Sequence, residues 1–99
     1  MLDVANFEQQ VNQAALLLKT MGNETRLQIL CNLIEQKRTV TQLNERINIS
    51  QSALSQHLAK LRADNFVTTE KDGLHVYYTV SMPVVAKILA VLQDEFCPQ

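Results

Sequence analysis

The stretch SQSALSQHLAKLRADN, residues 50–65, decides how this 99-residue chain folds. Its apolar residues recur at helical spacing and define one side of a helix: Leu54, Leu58 and Leu61. At about 100° per residue, the opposite side carries Ser52, Ser55, Gln56, Ala59 and Ala63. A soluble helix usually presents charged residues to water, whereas this side is polar, nearly uncharged and sterically low.

Three further helices are predicted before this one. Apolar periodicity places the first two at residues 6–20 and 24–35, and the fourth at residues 51–63 behind the capping residue Ser50. A short third helix begins after Thr39 or Thr41, either of which suits a cap. Because only the short turn NIS separates the third and fourth helices, they suit a helix-turn-helix unit.

A β-hairpin is predicted directly after the fourth helix. The segments FVTTEK and LHVYYTV are rich in β-formers and flank Asp72-Gly73, a strong hairpin signal. One face of the second strand is expected to hold Leu74, Val76, Tyr78 and Val80. A last helix then runs to about Glu95. The fold class is therefore mainly α with a β-hairpin, a winged helix-turn-helix in the order ααααββα.

Length and apolar stripes predict one domain that dimerises. Residues 1–99 suffice for one compact domain and are few for two. The first and last helices carry wide apolar stripes that one small core cannot cover. We therefore expect a homodimer with these two helices at its interface.

The low side of the fourth helix suits the major groove of double-stranded DNA. That groove, about 12 Å wide, admits a helix whose leading face is low, and Gln and Ser side chains bond base edges there. Lys60 and Arg62 flank this side and are expected at the phosphate backbone. His57 is expected to be packed or to touch a phosphate, and Lys71 and His75 of the wing to contact the backbone or the minor groove. The alternative is an exposed helix that happens to lack charges.

The charge distribution is compatible with DNA as a partner. The formal net charge is −1, so bulk charge gives no support to a polyanion partner. However, six basic and four acidic residues between Lys37 and Thr79 give that segment a net charge of +2.

An enzyme is not expected, because the sequence has no Gly-rich phosphate loop and no catalytic arrangement of His, Asp and Ser. The N-terminus resembles neither a signal peptide nor a membrane span, so a cytoplasmic protein is expected.

The sequence resembles the ArsR family of bacterial winged-helix repressors. The matching segments are NETRLQILCNL, SQSALSQHLAKLR and DGLHVYYTV. The resemblance implies a homodimer that binds operator DNA and leaves it when an inducer binds. It also implies that the base-contacting residues are Gln51, Ser52, Ser55 and Gln56.

Two metal sites of this family have no counterpart in the chain. Where relatives place two cysteines on the third helix, this sequence has Thr39 and Thr41, and hydroxyls are poor ligands for soft metals. The segment MPVVAKILAVLQDEF lacks the histidine of the second family site. We therefore expect no metal and no cofactor.

Cys31 and Cys97 are the only cysteines of the chain. Their positions resemble those of the subgroup that senses persulfides and oxidants through a thiol pair, which implies a reactive sulfur species or an oxidant as inducer. Cys31 also fits an ordinary buried residue on an apolar helix face. Two other functions stay open: a regulator with inert cysteines that displaces another repressor, and a winged-helix protein-interaction module.

Overall fold

The computed structural model describes residues 4–96. Its elements, in chain order, are α1 (Val4–Met21), α2 (Glu24–Glu35), α3 (Val40–Arg46), α4 (Gln51–Ala63), β1 (Val67–Asp72), β2 (His75–Val80) and α5 (Pro83–Phe96). This order confirms the predicted winged helix-turn-helix. The predicted bounds of α2 and α4 agree with the structure, and α1 begins two residues earlier than predicted.

Side-chain caps fix where the helices of the reading unit begin. The Ser50 hydroxyl accepts a hydrogen bond from the backbone N–H of Ala53 at 3.1 Å. At the start of α3, the Thr39 hydroxyl accepts from the N–H of Gln42, whose side chain accepts from the N–H of Thr39. This reciprocal capping box settles the choice between the two threonines, because Thr41 lies inside α3.

The hairpin turn lies one residue later than the Asp72-Gly73 signal suggests. Asp72 pairs with His75 as the last rung of the antiparallel ladder, so Gly73 and Leu74 form a two-residue turn. Gly73 has φ of 64°, which glycine adopts without a steric penalty. The prediction that Leu74 shares a strand face is therefore wrong: Leu74 is 98% exposed at the tip of the wing.

The wing is joined to the connection between α2 and α3. Arg38 and Tyr78 form an antiparallel bridge in which the Arg38 N–H donates to the Tyr78 carbonyl at 3.2 Å and the Tyr78 N–H donates to the Arg38 carbonyl at 2.7 Å. Thr39, the cap of α3, follows immediately. The wing and the helix-turn-helix unit are thus hydrogen-bonded to each other at the base of the hairpin.

The core takes side chains from every helix and from the first strand. Its fully buried members include Ile29, Leu30, Leu43, Leu54, Leu58, Leu61, Val67, Val85 and Leu89. α1 contributes one buried residue, Met21, although most of its length is apolar on one side. Large apolar side chains of α1 and α5 consequently remain exposed, among them Val4, Phe7, Val11, Leu16, Leu18, Val84, Val91 and Phe96.

Arg38 also anchors this region through its side chain. It is buried, and its Nε donates to the Asn32 carbonyl at 3.1 Å while a terminal nitrogen lies 2.7 Å from Glu35 Oε1. Arg46, at the end of α3, donates to the side chain of Asn32 and lies 3.7 Å from the same Glu35 oxygen. Two arginines on either side of α3 therefore share the partners offered by the last turns of α2.

The first prediction concerns this arginine cluster. Arg38→Gln should lower the free energy of unfolding by about 2 kcal/mol, because a charge-assisted hydrogen bond is lost and a buried guanidinium site is left poorly filled. Lys37→Gln is the matched control, since Lys37 makes surface contacts, a pair with Glu70 at 3.5 Å and an approach of 5.0 Å to the Tyr77 ring, and its replacement should cost at most about 1 kcal/mol. Urea unfolding at one fixed protein concentration measures both, and equal midpoints would contradict the role assigned to Arg38.

Candidate nucleic-acid interface

The face of α4 that the leucine spacing turns outward is exposed along its length. Leu54, Leu58 and Leu61 are buried in the core. The outward residues are all exposed: Ser52, Ser55, Gln56, Ala59 and Ala63. We call these five residues the reading face. Its polar groups can bond base edges, and its alanines leave room for a groove wall.

The first turn of α4 continues the reading face toward the turn of the helix-turn-helix unit. Gln51 and Ser52 are exposed, and within residues 4–96 their backbone N–H groups make no hydrogen bond. Ser50 directs its hydroxyl to the Ala53 N–H and lies 3.4 Å from the Ser52 hydroxyl. This end of the helix therefore offers both side-chain and backbone donors to an approaching anion.

The two basic residues near the end of α4 differ in their surroundings. Lys60 Nζ lies 3.1 Å from Asp64 Oδ2, and both residues line a cavity against α1. Arg62 is exposed and, among the described residues, forms no ion pair; it lies on the side of α4 that faces the wing. From sequence alone, Lys60 and Arg62 are expected to have the same role, because the sequence does not show which other element of the fold lies next to each side chain.

His57 is half-buried between the leucine row and the reading face. Its neighbour Leu58 is buried, whereas Gln56 on the other side is exposed. The role of His57 as a packed or phosphate-touching residue stays a prediction.

The wing-tip residues lie at the far end of the hairpin from α4. Lys71 and His75 are exposed near the turn, and a six-residue strand places the tip about 20 Å from its base. Within the described part of the chain Lys71 has no ion-pair partner, while Lys37 lies 5.0 Å from the ring of Tyr77 and pairs with Glu70. The structure thus groups the α4 residues on one surface and leaves Lys71 and His75 as a separate patch.

Comparison with known proteins identifies this arrangement. The family described as "Bacterial regulatory protein, arsR family" matches residues 23–69, from the cap of α2 into the first strand. The transcriptional activator HlyU of Vibrio cholerae is 43% identical over 96 residues, covering 97% of this chain and 89% of that protein. The chain belongs to the ArsR family. Its relatives are transcriptional regulators with a DNA-binding fold, not enzymes.

Solved structures agree with the ArsR assignment over nearly the whole chain. Reduced HlyU from Vibrio cholerae superposes with a TM-score of 0.87 at 44% identity, covering 95% of this chain and 99% of that one. The transcriptional repressor BigR from Xylella fastidiosa superposes with a TM-score of 0.82 at 32% identity, covering 99% and 100%. This ArsR protein is therefore a DNA-binding transcriptional regulator with the winged-helix fold.

The two positions compared above with cysteine ligands of a metal site are threonines in this chain. Thr39 serves as the cap of α3, and Thr41 is exposed on that helix. In the part of the chain that the structure describes, no three His, Cys, Asp or Glu side chains gather in a way that could hold a metal ion. Within the same residues, no helix combines the length and the hydropathy needed to cross a bilayer.

Of the two cysteines of this ArsR protein, Cys31 lies in the described region. It is half-buried in α2 and packs against the core beside Leu30. α2 in turn packs against α5, the helix that leads toward the C-terminus. Cys97 lies outside the described residues, so the pairing of the two thiols stays a prediction.

Proposed function

We propose that this ArsR protein is a homodimeric repressor that binds double-stranded operator DNA and releases it when a Cys31–Cys97 thiol pair is modified. The observation that supports operator binding is the reading face of α4. It is low, polar and nearly uncharged, and the buried leucine row holds it outward in a helix-turn-helix unit. The whole chain, residues 1–99, acts as one DNA-binding domain.

Each protomer inserts α4 into one major groove. Gln51, Ser52, Ser55 and Gln56 contact base edges, because amide and hydroxyl groups match the donors and acceptors there. His57 and Lys60 contact phosphates beside the helix. Lys71 and His75 contact the backbone or the minor groove from the wing tip, and so extend each half-site beyond the helix.

Dimerisation is supported by the apolar surface that the core leaves uncovered. Phe7, Val11 and Leu18 recur at helical spacing on one side of α1, and about half of each is exposed. Val91 and Phe96 of α5 are 69% and 75% exposed. Such clustering of large apolar side chains on two helices marks an interaction surface, and a second copy of the chain offers the same residues in return.

The second prediction tests the dimer. Wild-type protein should sediment as a dimer at micromolar concentration, and Val11→Glu should shift it toward monomer because a charge would be buried against apolar partners. Glu8→Gln, one turn earlier on α1, is the control and should stay dimeric. A wild-type monomer at these concentrations would contradict the proposed assembly.

The third prediction tests the reading face. Gln56→Ala should weaken operator binding by roughly 1–3 kcal/mol per half-site and leave binding to an unrelated duplex unchanged, because a base contact carries sequence information. Gln28→Ala on the exposed side of α2 is the control with the same chemical change. Fluorescence anisotropy on DNA from upstream of the gene measures both variants.

Lys60→Ala completes this test, because a phosphate contact behaves differently from a base contact. It should weaken binding to all sequences and reduce the dependence on salt by about one unit of slope per half-site. Unchanged operator binding by folded Gln56→Ala would show that the reading face is assigned wrongly.

The proposed switch uses sulfur transfer between thiols. A thiolate at Cys97 attacks the outer sulfur of a hydropersulfide, RSSH, which leaves as RSH. The outer sulfur of the resulting persulfide on Cys97 then forms a bond with the sulfur of Cys31. This oxidation releases two electrons and two protons, which a second RSSH accepts as it is reduced to RSH and H₂S. The product is a bridge with one inserted sulfur atom.

An inserted sulfur atom relaxes the geometric demand of the bridge. A direct disulfide needs its two Cα atoms within about 7 Å, and a longer sulfur chain spans a wider separation. Because α2 packs on α5 and α5 belongs to the proposed interface, such a bridge would alter the spacing of the two reading faces. DNA would be released, since both half-sites must be met at once.

The fourth prediction tests this chemistry. Persulfide-treated protein should show an intramolecular Cys31–Cys97 bridge carrying extra sulfur by mass spectrometry, and should lose operator binding. Cys31→Ser and Cys97→Ser should both remain on DNA after treatment. Release of both variants, or equal release of wild type by peroxide through a plain disulfide, would contradict the mechanism.

A second function is favoured by one comparison. The relative from Vibrio cholerae is named a transcriptional activator, and a small regulator can raise transcription by displacing another repressor from an overlapping site. In that case the cysteines are inert, and treated and untreated protein bind DNA alike. A winged-helix module that binds only proteins can be distinguished from both functions by measuring how binding to DNA depends on salt concentration, since DNA binding weakens steeply as salt rises.

A further inference from the structure

A cleft of about 490 Å³ lies between the second half of α4 and β2 of the wing. Its lining residues are Ser55, Ala59, Arg62, Ala63 and Tyr78. This set contains one cation and no carboxylate. The floor of the cleft is made of small side chains from the reading face, which leave room for a DNA strand to enter the cleft. The charge of the cleft therefore favours an anionic occupant.

Arg62 is the basic residue of α4 that has no ion-pair partner among the described residues. Lys60 is paired with Asp64 and lines a different cavity, against Leu16 and Leu17 of α1. Arg62 makes no ion pair and no side-chain hydrogen bond within residues 4–96. A guanidinium presents five donors in a planar fork that matches the oxygens of a phosphate.

Tyr78 forms the opposite wall, and the backbone holds it from both sides. It pairs with Thr69 of β1 on one edge and with Arg38 on the other. Its side chain is half-buried against the core. Within the described residues its hydroxyl has no hydrogen-bond partner, although a phenol can donate one. The wall is thus fixed by main-chain bonds while its polar group is unused.

We propose that this cleft seats one phosphate of the DNA backbone, with Arg62 and the Tyr78 hydroxyl as its donors. When α4 lies in a major groove, one of the strands that border the groove passes alongside the helix, and on the wing side it meets this cleft. A phosphate held between helix and wing fixes the register of the reading face without reading any base. The proposal rests on the proposed operator binding; it gives the phosphate contact expected of Arg62 a defined place and adds Tyr78 to the DNA-contacting residues.

The two donors give different signatures, which permits a sharp test. Arg62→Gln removes a charge, so it should weaken operator and unrelated duplex alike by roughly tenfold per half-site. It should also lower the slope of log affinity against log salt by about 0.9 per half-site. Tyr78→Phe removes only a neutral donor. It should weaken both duplexes by roughly two- to tenfold per half-site and leave the salt slope unchanged.

Matched controls separate the seat from general effects. Lys87→Gln on α5 makes the same charge change far along the chain, and it should leave both affinity and slope nearly unchanged. Tyr77→Phe makes the same change on the neighbouring residue, which lines a different cavity on the α3 side of the wing, and should bind like wild type. Arg62→Lys should keep the salt slope but recover only part of the affinity, because an ammonium lacks the planar fork.

Replacing single phosphates of the operator by uncharged methylphosphonates identifies which phosphate occupies the proposed seat. Operator duplexes carrying a single methylphosphonate at successive positions should include one position per half-site where wild type binds more weakly. At that position Arg62→Gln and Tyr78→Phe should cause no further loss. The proposed seat would be overturned if Arg62→Gln bound DNA with the affinity and the salt slope of wild type. It would also be overturned if both variants weakened binding as much on every methylphosphonate duplex as on unmodified DNA. If wild type prefers operator to unrelated DNA in the same assay and Gln56→Ala reduces that preference, operator binding stands even when the seat fails.

Discussion

The burial of three leucines on one side of α4 is the constraint on which the DNA-binding surface depends. Leu54, Leu58 and Leu61 have at most 1% of their surface exposed. Each buried leucine contributes on the order of 2 kcal/mol, so the rotation of the helix about its own axis is strongly determined. That rotation alone sends five small or polar residues outward. The residues of the reading face therefore need not stabilise the fold, and their chemistry can be determined by what they bind.

A second constraint joins the reading helix to the wing. The main-chain bridge between Arg38 and Tyr78 extends the two-stranded wing by one pair, and the Arg38 side chain ties the same point to the last turns of α2. A two-stranded hairpin alone is marginally stable in water. Because this hairpin is fixed at its base by a third segment, its orientation relative to α3 and α4 is set by the protein rather than by DNA. The proposed phosphate seat depends on this, since one of its walls is Tyr78.

Much of this architecture was predictable because it is encoded locally. The leucine row, the Ser50 cap and the β-formers around Gly73 each act over a few residues, and they gave α4 and the wing their correct order. What the sequence could not show depends on contacts between distant residues. The bridge from Arg38 to Tyr78 joins positions forty apart, and the different neighbours of Lys60 and Arg62 follow from how α1 and β2 pack on either side of α4. Leu74 was placed wrongly because a two-residue turn can begin at Asp72 or at Gly73, and only the strand register decides.

The uncovered apolar residues of α1 and α5 bear on how such a protein could be switched. In the proposed dimer, specific binding requires both reading faces to meet half-sites about one helical turn apart. Each half-site contributes its contacts only when the spacing is correct, so a small change at the interface removes one set of contacts without disturbing either α4. A loss of about 3 kcal/mol corresponds to more than a hundredfold in affinity, which lies within the range of known allosteric couplings. A modification on α2 or α5 can therefore control DNA binding from a distance, provided that it acts on the relation between protomers and not on the reading face itself.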